Sequence, residues 1–328
     1  MNLLSLFRLL LFPLLLPFSL LYGVFSFVIR VTTFDKVELS SPVISVGNFC
    51  VGGSGKTPLV GVLIEALLEK GYKPVVISKS YKADLKEPAE VLKGADPLKY
   101  GDEAVSLKEK FKNVSVFSGP VKVKSAVYAE TVLAADKKKV FIIDDGAQHH
   151  KLKKNFKIHT WDLSRPIIDI FPFPFGMSRE FWFLGEGPDL SVLNRSNGGV
   201  KEILLNSLIW GRKLKPFYMV KEITNVESGL DIKSDFVLIS GLGNFRQLLT
   251  AVKSYIEGKD YSLIKEMPGK DHDDFKWFKA EANLNYVCTE KDLLKLKGKI
   301  SPDKLFVVKS DFSEDFKKEV SEILNGWL

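Results

Sequence analysis

The sequence predicts a doubly wound parallel α/β sheet built around a phosphate-binding loop, with a second αβ pattern behind it and a hydrophobic helix ahead of it. Three observations carry that expectation. A β-branched run, Val43 to Val46, leads into a glycine-dense turn, then Gly55-Lys-Thr-Pro58 and a helical pattern. Short apolar strands then alternate with helical stretches as far as Val140 to Ile143, the spacing of a parallel sheet with crossover helices. Ahead of both, Leu9 to Ile29 contains no charged residue.

That first stretch is 21 residues long and lies between Arg8 and Arg30. As a helix it extends about 31 Å, close to the thickness of a bilayer's hydrocarbon core. Pro13 and Pro17 interrupt a straight span, although membranes tolerate proline better than soluble helices do. A signal peptide is a competing reading, but its apolar region is shorter and ends in a small-x-small cleavage site, which is not evident here. A helix lying in the interface is a third. The expectation is a membrane anchor. The phosphate loop orients it, because ATP is cytoplasmic.

The strand Val43 to Val46 is followed by Val51-Gly-Gly-Ser-Gly-Lys-Thr-Pro58. Glycines let backbone N–H groups approach an anion with no Cβ in the way. The helix that follows adds the partial positive charge of its N-terminus. Lys56 reaches the β- and γ-phosphates, and the Thr57 hydroxyl can ligate Mg²⁺. Pro58 suits a first helical turn. Val60, Leu63, Ile64, Leu67 and Leu68 share one helical face, and Gly71 is placed to end the helix. Val51, Gly52, Gly53, Ser54, Gly55, Lys56, Thr57 and Pro58 are the expected nucleotide-binding residues. The usual pattern asks for glycine five positions before Gly55, where this chain has Cys50.

Pro74 to Ser78 reads as a second buried strand, Val114 to Phe117 as a third, Val121 to Ala135 as a helix and Val140 to Ile143 as a fourth strand. Working residues of open parallel sheets lie beyond the carboxyl ends of the strands. Asp144 and Asp145 follow the fourth strand directly, the context of carboxylates that hold Mg²⁺ with the loop threonine. The plainer role, capping the next element, leaves two adjacent buried carboxylates without a cation. Gly101-Asp-Glu103 offers a base for a hydroxyl proton, but taken alone Asp102 and Glu103 read as the N-cap and first-turn acid of the following helix. His272 lies in the carboxylate-rich Asp271-His-Asp-Asp274, which is a catalytic setting, a divalent-ion site or a solvated turn after Pro268-Gly269.

From about Lys151 the character changes to an aromatic and proline-rich passage, Ile170 to Gly176, and then a polar turn region, Asn194 to Gly199. A second αβ pattern follows: strands at Phe236 to Ser240, Tyr286 to Cys288 and Lys304 to Val308, with a helix from Phe245 to Ile256. Gly241-Leu-Gly243 is a weak dinucleotide signal, since Arg246 stands at the third glycine position. Thr289-Glu-Lys-Asp292 is out of register for guanine selection. At 328 residues with 45% hydrophobic and 27% charged content, the chain is long enough for two globular domains. The net charge of +7 favours anionic partners, and two cysteines make no disulfide framework. The anchor and the lack of an aromatic-basic module argue against nucleic acid. No obligate protein partner is evident.

In this order the pieces resemble the tetraacyldisaccharide 4′-kinase family of lipid A biosynthesis. Its loop, G-N-x-x-V-G-G-[ST]-G-K-T-P, is matched by Gly47-Asn48 and Val51 through Pro58, and it too lacks the first glycine. Its later motifs are matched by Gly101-Asp-Glu-Ala104, Asp144-Asp-Gly-Ala-Gln-His149, Pro174-Phe-Gly-Met-Ser-Arg-Glu180, Asp271-His272 and Thr289-Glu-Lys-Asp292. The resemblance implies a phosphate-loop core domain and a smaller α/β domain closing over the nucleotide. The boundaries expected are an anchoring helix at 1–34, a core at 35–215 and a lid at 216–328. It implies ATP and Mg²⁺ as cofactors and transfer of the γ-phosphate to the 4′-hydroxyl of a tetraacylated glucosamine disaccharide 1-phosphate, giving lipid IVA. The site is implied at the cytoplasmic face of a bacterial inner membrane, where the acylated acceptor resides in the inner leaflet. By the same analogy Asp102 receives the hydroxyl proton with His272 assisting, and Lys56 completes the catalytic set. Thr57, Asp144, Asp145 and Glu103 hold the metal.

Three motifs depart from the family pattern, at four positions. Its S-R-G-Y is Ser78-Lys-Ser-Tyr81 here, its D-D-G-F-Q-H aromatic is Ala147, and Ala104 replaces a proline. Lysine does not replace arginine where bidentate phosphate contact is needed, so these changes bear on the acceptor and the rate. Two alternatives stand beside the kinase: a kinase for another lipid acceptor, and a membrane-tethered NTPase switch acting on a partner protein. The pair Asp102 and His272 separates them, because a switch needs no general base beside a lipid hydroxyl.

Overall fold

The computed structural model describes residues 3–51, 55–80, 83–184, 187–194, 207–209, 211–216, 218–241, 245–270 and 273–328. The chain forms two compact units, Met1–Pro216 with Phe316–Leu328, and Phe217–Asp315. The sequence reading carries its third segment from 216 to the C-terminus. Here the last residues, most of the helix Glu314–Trp327, belong to the larger unit. They are held there by Trp327 against Phe156 and by Lys317 with Glu65 at 3.2 Å.

The larger unit opens with two helices, α1 (Leu3–Leu10) and α2 (Phe12–Val31). The apolar stretch is therefore broken at Leu11 rather than continuous. Pro13 cannot donate to the preceding turn, and its ring crowds the carbonyl four residues back. By length and composition α2 is sufficient to cross a membrane. Most of it is exposed apolar surface, with Ser19 and Gly23 buried.

The sheet of this unit contains β1 (Val43–Gly47), β2 (Lys73–Lys79), β3 (Ala89–Glu90), β4 (Ser115–Gly119), β5 (Lys139–Asp144), β6 (Phe156–Asp162), β7 (Leu190–Asn194) and β8 (Arg212–Leu214). Their order is β3-β4-β2-β5-β1-β6-β7-β8. All neighbours are parallel except β3, which runs against β4. Between the strands lie α3 (Lys56–Glu69), α4 (Pro97–Tyr100), α5 (Asp102–Lys110) and α6 (Lys122–Val132). Side chains alternate across the sheet. Val43, Val75, Ile77, Phe141 and Ile143 pack with Ala126 and Ala129 of α6. The intervening residues Ile44, Val76 and Ile142 are equally buried, and α3 packs along β1, β2 and β5. Helices on both faces make the sheet doubly wound, as the sequence predicts. Gly71, with φ +73°, ends α3 with Gly71 N–H on the Leu68 carbonyl and Tyr72 N–H on that of Leu67.

The smaller unit has a five-stranded sheet of β9 (Tyr218–Asn225), β10 (Phe236–Ser240), β11 (Leu263–Pro268), β12 (Asn285–Thr289) and β13 (Leu305–Phe312), in the order β11-β10-β12-β13-β9. Only β9 is antiparallel to its neighbour. Helix Phe245–Ile256 buries Leu248 and Val252 with Phe236 and Leu238. The strands expected at Phe236, Tyr286 and Lys304 are present, whereas β6, β7, β9 and β11 are elements the sequence reading does not contain.

Candidate active site

The site lies at the carboxyl ends of the central strands β1 and β5, with β2 and β4 alongside, where the turns leave the sheet. Lys56 is the first residue of α3. Its Nζ donates to Asn48 Oδ1 at 3.2 Å and lies 3.4 Å from Asp145 Oδ1. The residue before it, Gly55, has φ +82°, and a Cβ there would stand 2.9 Å from Asn194 Nδ2. Both conformation and space require glycine. Val51 is tied by its N–H to the Met177 carbonyl at 2.9 Å, and its own carbonyl accepts from Arg165 at 2.6 Å. Thr57 is half-buried and Pro58 exposed in the first turn of α3. Gly52, Gly53, Ser54 and His272 lie outside the described residues. Cys50, at the position of the missing glycine, is half-buried, and burial pushes its thiol up to about 11.

Asp144 ends β5 and is 2% exposed, and neither of its carboxylate oxygens has a hydrogen-bond partner. Burial, reinforced by the charge of Glu103, raises its pKa to about 6. Asp145 has φ +51° and lies within 3.3 Å of Arg179 Nη1. Burial alone would raise its pKa, but Lys56, Lys122 and Arg179 together outweigh that effect and hold it below its ordinary value.

Lys122 is a residue that sequence reasoning missed, having read it only as part of a helical stretch. It opens α6 at 1% exposure, and its Nζ donates to the carbonyls of Asp144 and Asp145, the latter at 2.7 Å. Burial lowers its pKa to about 8 against the pull of both aspartates. The available signal was a lysine in the first turn of a helix that follows a strand. Gln148 and Arg179 also join the site. Gln148 Nε2 donates to the Asn48 carbonyl at 2.8 Å, and Arg179 Nη1 donates to Gln148 Oε1 at 2.8 Å. His149 is neutral, since burial and the neighbouring Lys122 and Lys154 depress its pKa to about 3.

Asp102 and Glu103 are exposed in the first turn of α5, where the helix N-terminus favours acids. Their place is set by the Tyr100 carbonyl, which accepts from Ser118 Oγ at 2.7 Å beside the end of β4. Thr57, Asp144, Asp145 and Glu103 do not form a preformed metal cage. Among the described residues no three His, Cys, Asp or Glu side chains converge for one. Asp145 is engaged by Lys56 and Arg179, which leaves the unpartnered, buried Asp144 as the carboxylate suited to a cation. That is compatible with Mg²⁺, which commonly takes one or two carboxylates plus phosphate oxygens and water. In the smaller unit, Asp292 is fully buried and accepts from Ser240 Oγ at 2.6 Å and Thr289 Oγ1 at 2.7 Å. The Thr289-Glu-Lys-Asp292 motif therefore braces the ends of β10 and β12.

A family model for tetraacyldisaccharide-1-P 4′-kinase matches residues 11–328. The tetraacyldisaccharide 4′-kinase of Actinobacillus succinogenes is 30% identical over 291 residues, 86% of this chain and 85% of that protein. That of Bdellovibrio bacteriovorus is 35% identical over 166 residues, 50% of this chain and 48% of that protein. The crystal structure of LpxK from Aquifex aeolicus, in complex with ATP, matches with a TM-score of 0.73 and 25% identity, over 98% of this chain and 99% of that one.

Proposed function

The chain belongs to the tetraacyldisaccharide 4′-kinase family, and from that premise we propose the roles its residues take in the reaction. It is an ATP-dependent lipid kinase of lipid A biosynthesis. The 4′-hydroxyl oxygen of the acylated disaccharide 1-phosphate forms the new bond to the γ-phosphorus. The bond from that phosphorus to the β–γ bridging oxygen breaks, and ADP leaves. Asp102 receives the hydroxyl proton, and His272 assists it. Lys56 and the phosphate loop before it hold the phosphates, so that attack is a matter of alignment and charge compensation. Mg²⁺ would supply charge compensation for the transferring phosphoryl group. Thr57 and Asp144 are the residues that would hold it, with Asp145 paired to Lys56 beside them and Glu103 at the periphery.

The observation that carries this assignment is the buried Asp144 carboxylate, with neither oxygen partnered, facing the same strand ends as Lys56. A merely structural turn would have satisfied those oxygens. The exposed apolar surface of α2 supports a setting on the inner membrane with the catalytic residues on the cytoplasmic face, where ATP and the acceptor headgroup meet. The test is transfer of label from [γ-³²P]ATP to tetraacyldisaccharide 1-phosphate in detergent micelles, with Asp102→Ala in parallel. Labelled lipid from the wild type and loss of rate in the variant are expected. ATP hydrolysis without labelled lipid would sink this acceptor and point to another lipid or to a nucleotide switch.

A further inference from the structure

The N-terminal helices, α1 through Arg8 and α2 through Ser19, Gly23 and Arg30, are attached to the core by more than an end. Arg8 Nη2 meets the buried Asp169 at 3.0 Å, Ser19 Oγ donates to the Pro172 carbonyl, and Arg30 Nη1 meets Glu180 Oε2 at 3.0 Å. At Gly23 the ring of Phe181 comes so close that a Cβ would lie 2.2 Å from it. Every one of these contacts falls on a single segment, residues 169 to 181.

The same segment leads to the phosphate loop. Arg179 N–H donates to the Phe49 carbonyl and Met177 accepts from Val51 N–H, both at 2.9 Å. Its side chains continue the connection. Glu180, 4% exposed, lies 3.4 Å from Gln148 Nε2 through its second oxygen and 4.0 Å from His150 Nε2. Gln148 in turn bonds the Asn48 carbonyl and receives Arg179, which reaches Asp145. A continuous series runs from Arg30 through Glu180 and Gln148 to Arg179 and Asp145. A branch at Asn48 runs to Lys56.

We propose that Arg30, on the membrane-anchoring helix, is a positioning residue for phosphoryl transfer. Through Glu180 it fixes Gln148 and Arg179 against Asp145 and the phosphate loop. The physical reason is that Glu180 is a buried carboxylate whose charge is satisfied chiefly by Arg30. Without that partner its oxygens seek other donors, and Gln148 is the nearest. The anchor helix is thus part of the scaffold of the site as well as its tether. The inference rests on the kinase reading for the roles of Arg179 and Asp145.

The experiment compares full-length wild type, Arg30→Met, Arg30→Lys, Glu180→Gln and the double variant Arg30→Met/Glu180→Gln in detergent micelles, where tethering to a bilayer contributes nothing. Arg30→Met is expected to lower kcat roughly ten- to a hundredfold, the range seen when a supporting partner of a site residue is lost. The KM values for ATP and lipid should stay within about twofold. Arg30→Lys should recover much of the rate, because the charge is restored. The double variant should be no worse than its poorer single parent, since the two residues act as one unit. A kcat for Arg30→Met within twofold of wild type, with only liposome binding weakened, would overturn the proposal in favour of a plain anchor. Independent, multiplying losses from the two single changes would also overturn it. If Arg30→Met does not fold, Arg30→Lys and Glu180→Gln with their double variant complete the same cycle. Should wild type hydrolyse ATP without labelling the lipid, the acceptor assignment fails. The cycle is then read on hydrolysis and still decides the coupling.

Discussion

Replacing Asp144 by asparagine should stabilise the metal-free protein while destroying its activity. The Asp144 carboxyl is buried without a hydrogen-bond partner and has its pKa raised from 3.8 to about 6. The folded state therefore binds this proton more tightly than the unfolded chain does. At 1.36 kcal/mol per pH unit, holding the carboxylate ionised at neutral pH costs about 3 kcal/mol. The amide of the variant carries no charge, but its own polar atoms go unpartnered at a cost of roughly 1–2 kcal/mol. A net gain of about 1–2 kcal/mol remains, or a rise in melting midpoint of roughly 2–8 °C for a unit of this size. The pH dependence gives the sharper check. The penalty on wild type is fully present above about pH 6 and fades as pH falls toward 4, so the variant's advantage should vanish there and reverse by about 1 kcal/mol, the cost of its unpartnered amide. Calorimetry in EDTA at pH 7.5 and at pH 4 measures both ends, and the transfer rate of the variant should fall at least about a hundredfold. A variant no more stable than wild type at pH 7.5, or one that keeps its advantage at pH 4, would refute the reasoning that Asp144 is a strained carboxylate suited to a cation.

Asp102→Asn should lower kcat by about 10²–10⁴-fold with the KM for ATP little changed, and its melting curve should overlay that of wild type because the side chain is exposed. Steady-state transfer assays and calorimetry decide both points. Gly55→Ala forces a left-handed residue and a Cβ against Asn194, so it should cost roughly 1–3 kcal/mol in urea unfolding and weaken nucleotide binding in titration calorimetry. Phe18 and Phe25 are exposed on α2. Changing both to serine should weaken liposome binding on the order of a hundredfold, at roughly 1.5 kcal/mol per aromatic side chain withdrawn from lipid, measured by co-sedimentation of the full chain.

The most local features were legible in the sequence. The strand, glycine turn and helix from Val43 to Gly71 form a continuous stretch, and backbone stereochemistry there is set by adjacent residues. The apolar run before it is a matter of composition. The strands that became β1, β2, β4 and β5 announce themselves because both faces are covered and their centres are short apolar runs. β6 does not: Phe156-Lys-Ile-His-Thr-Trp-Asp162 carries polar groups that are buried only because β1 and β7 flank it. The motif positions Gln148, Arg179 and Glu180 could be quoted, but their purpose could not be read from spacing.

What only tertiary structure decided is which distant side chains share one buried volume. Lys122 is an ordinary first-turn lysine until β5 comes to lie between β2 and β1 and presents the carbonyls of Asp144 and Asp145 to it. Arg30 looks like the flank of a membrane stretch until residues 169 to 181 fold back along α2 and bring Glu180 to it. Periodicity along a chain reports which face of an element is apolar. It carries no information on the partner that face will meet, and the energy of a buried charge depends almost entirely on that partner.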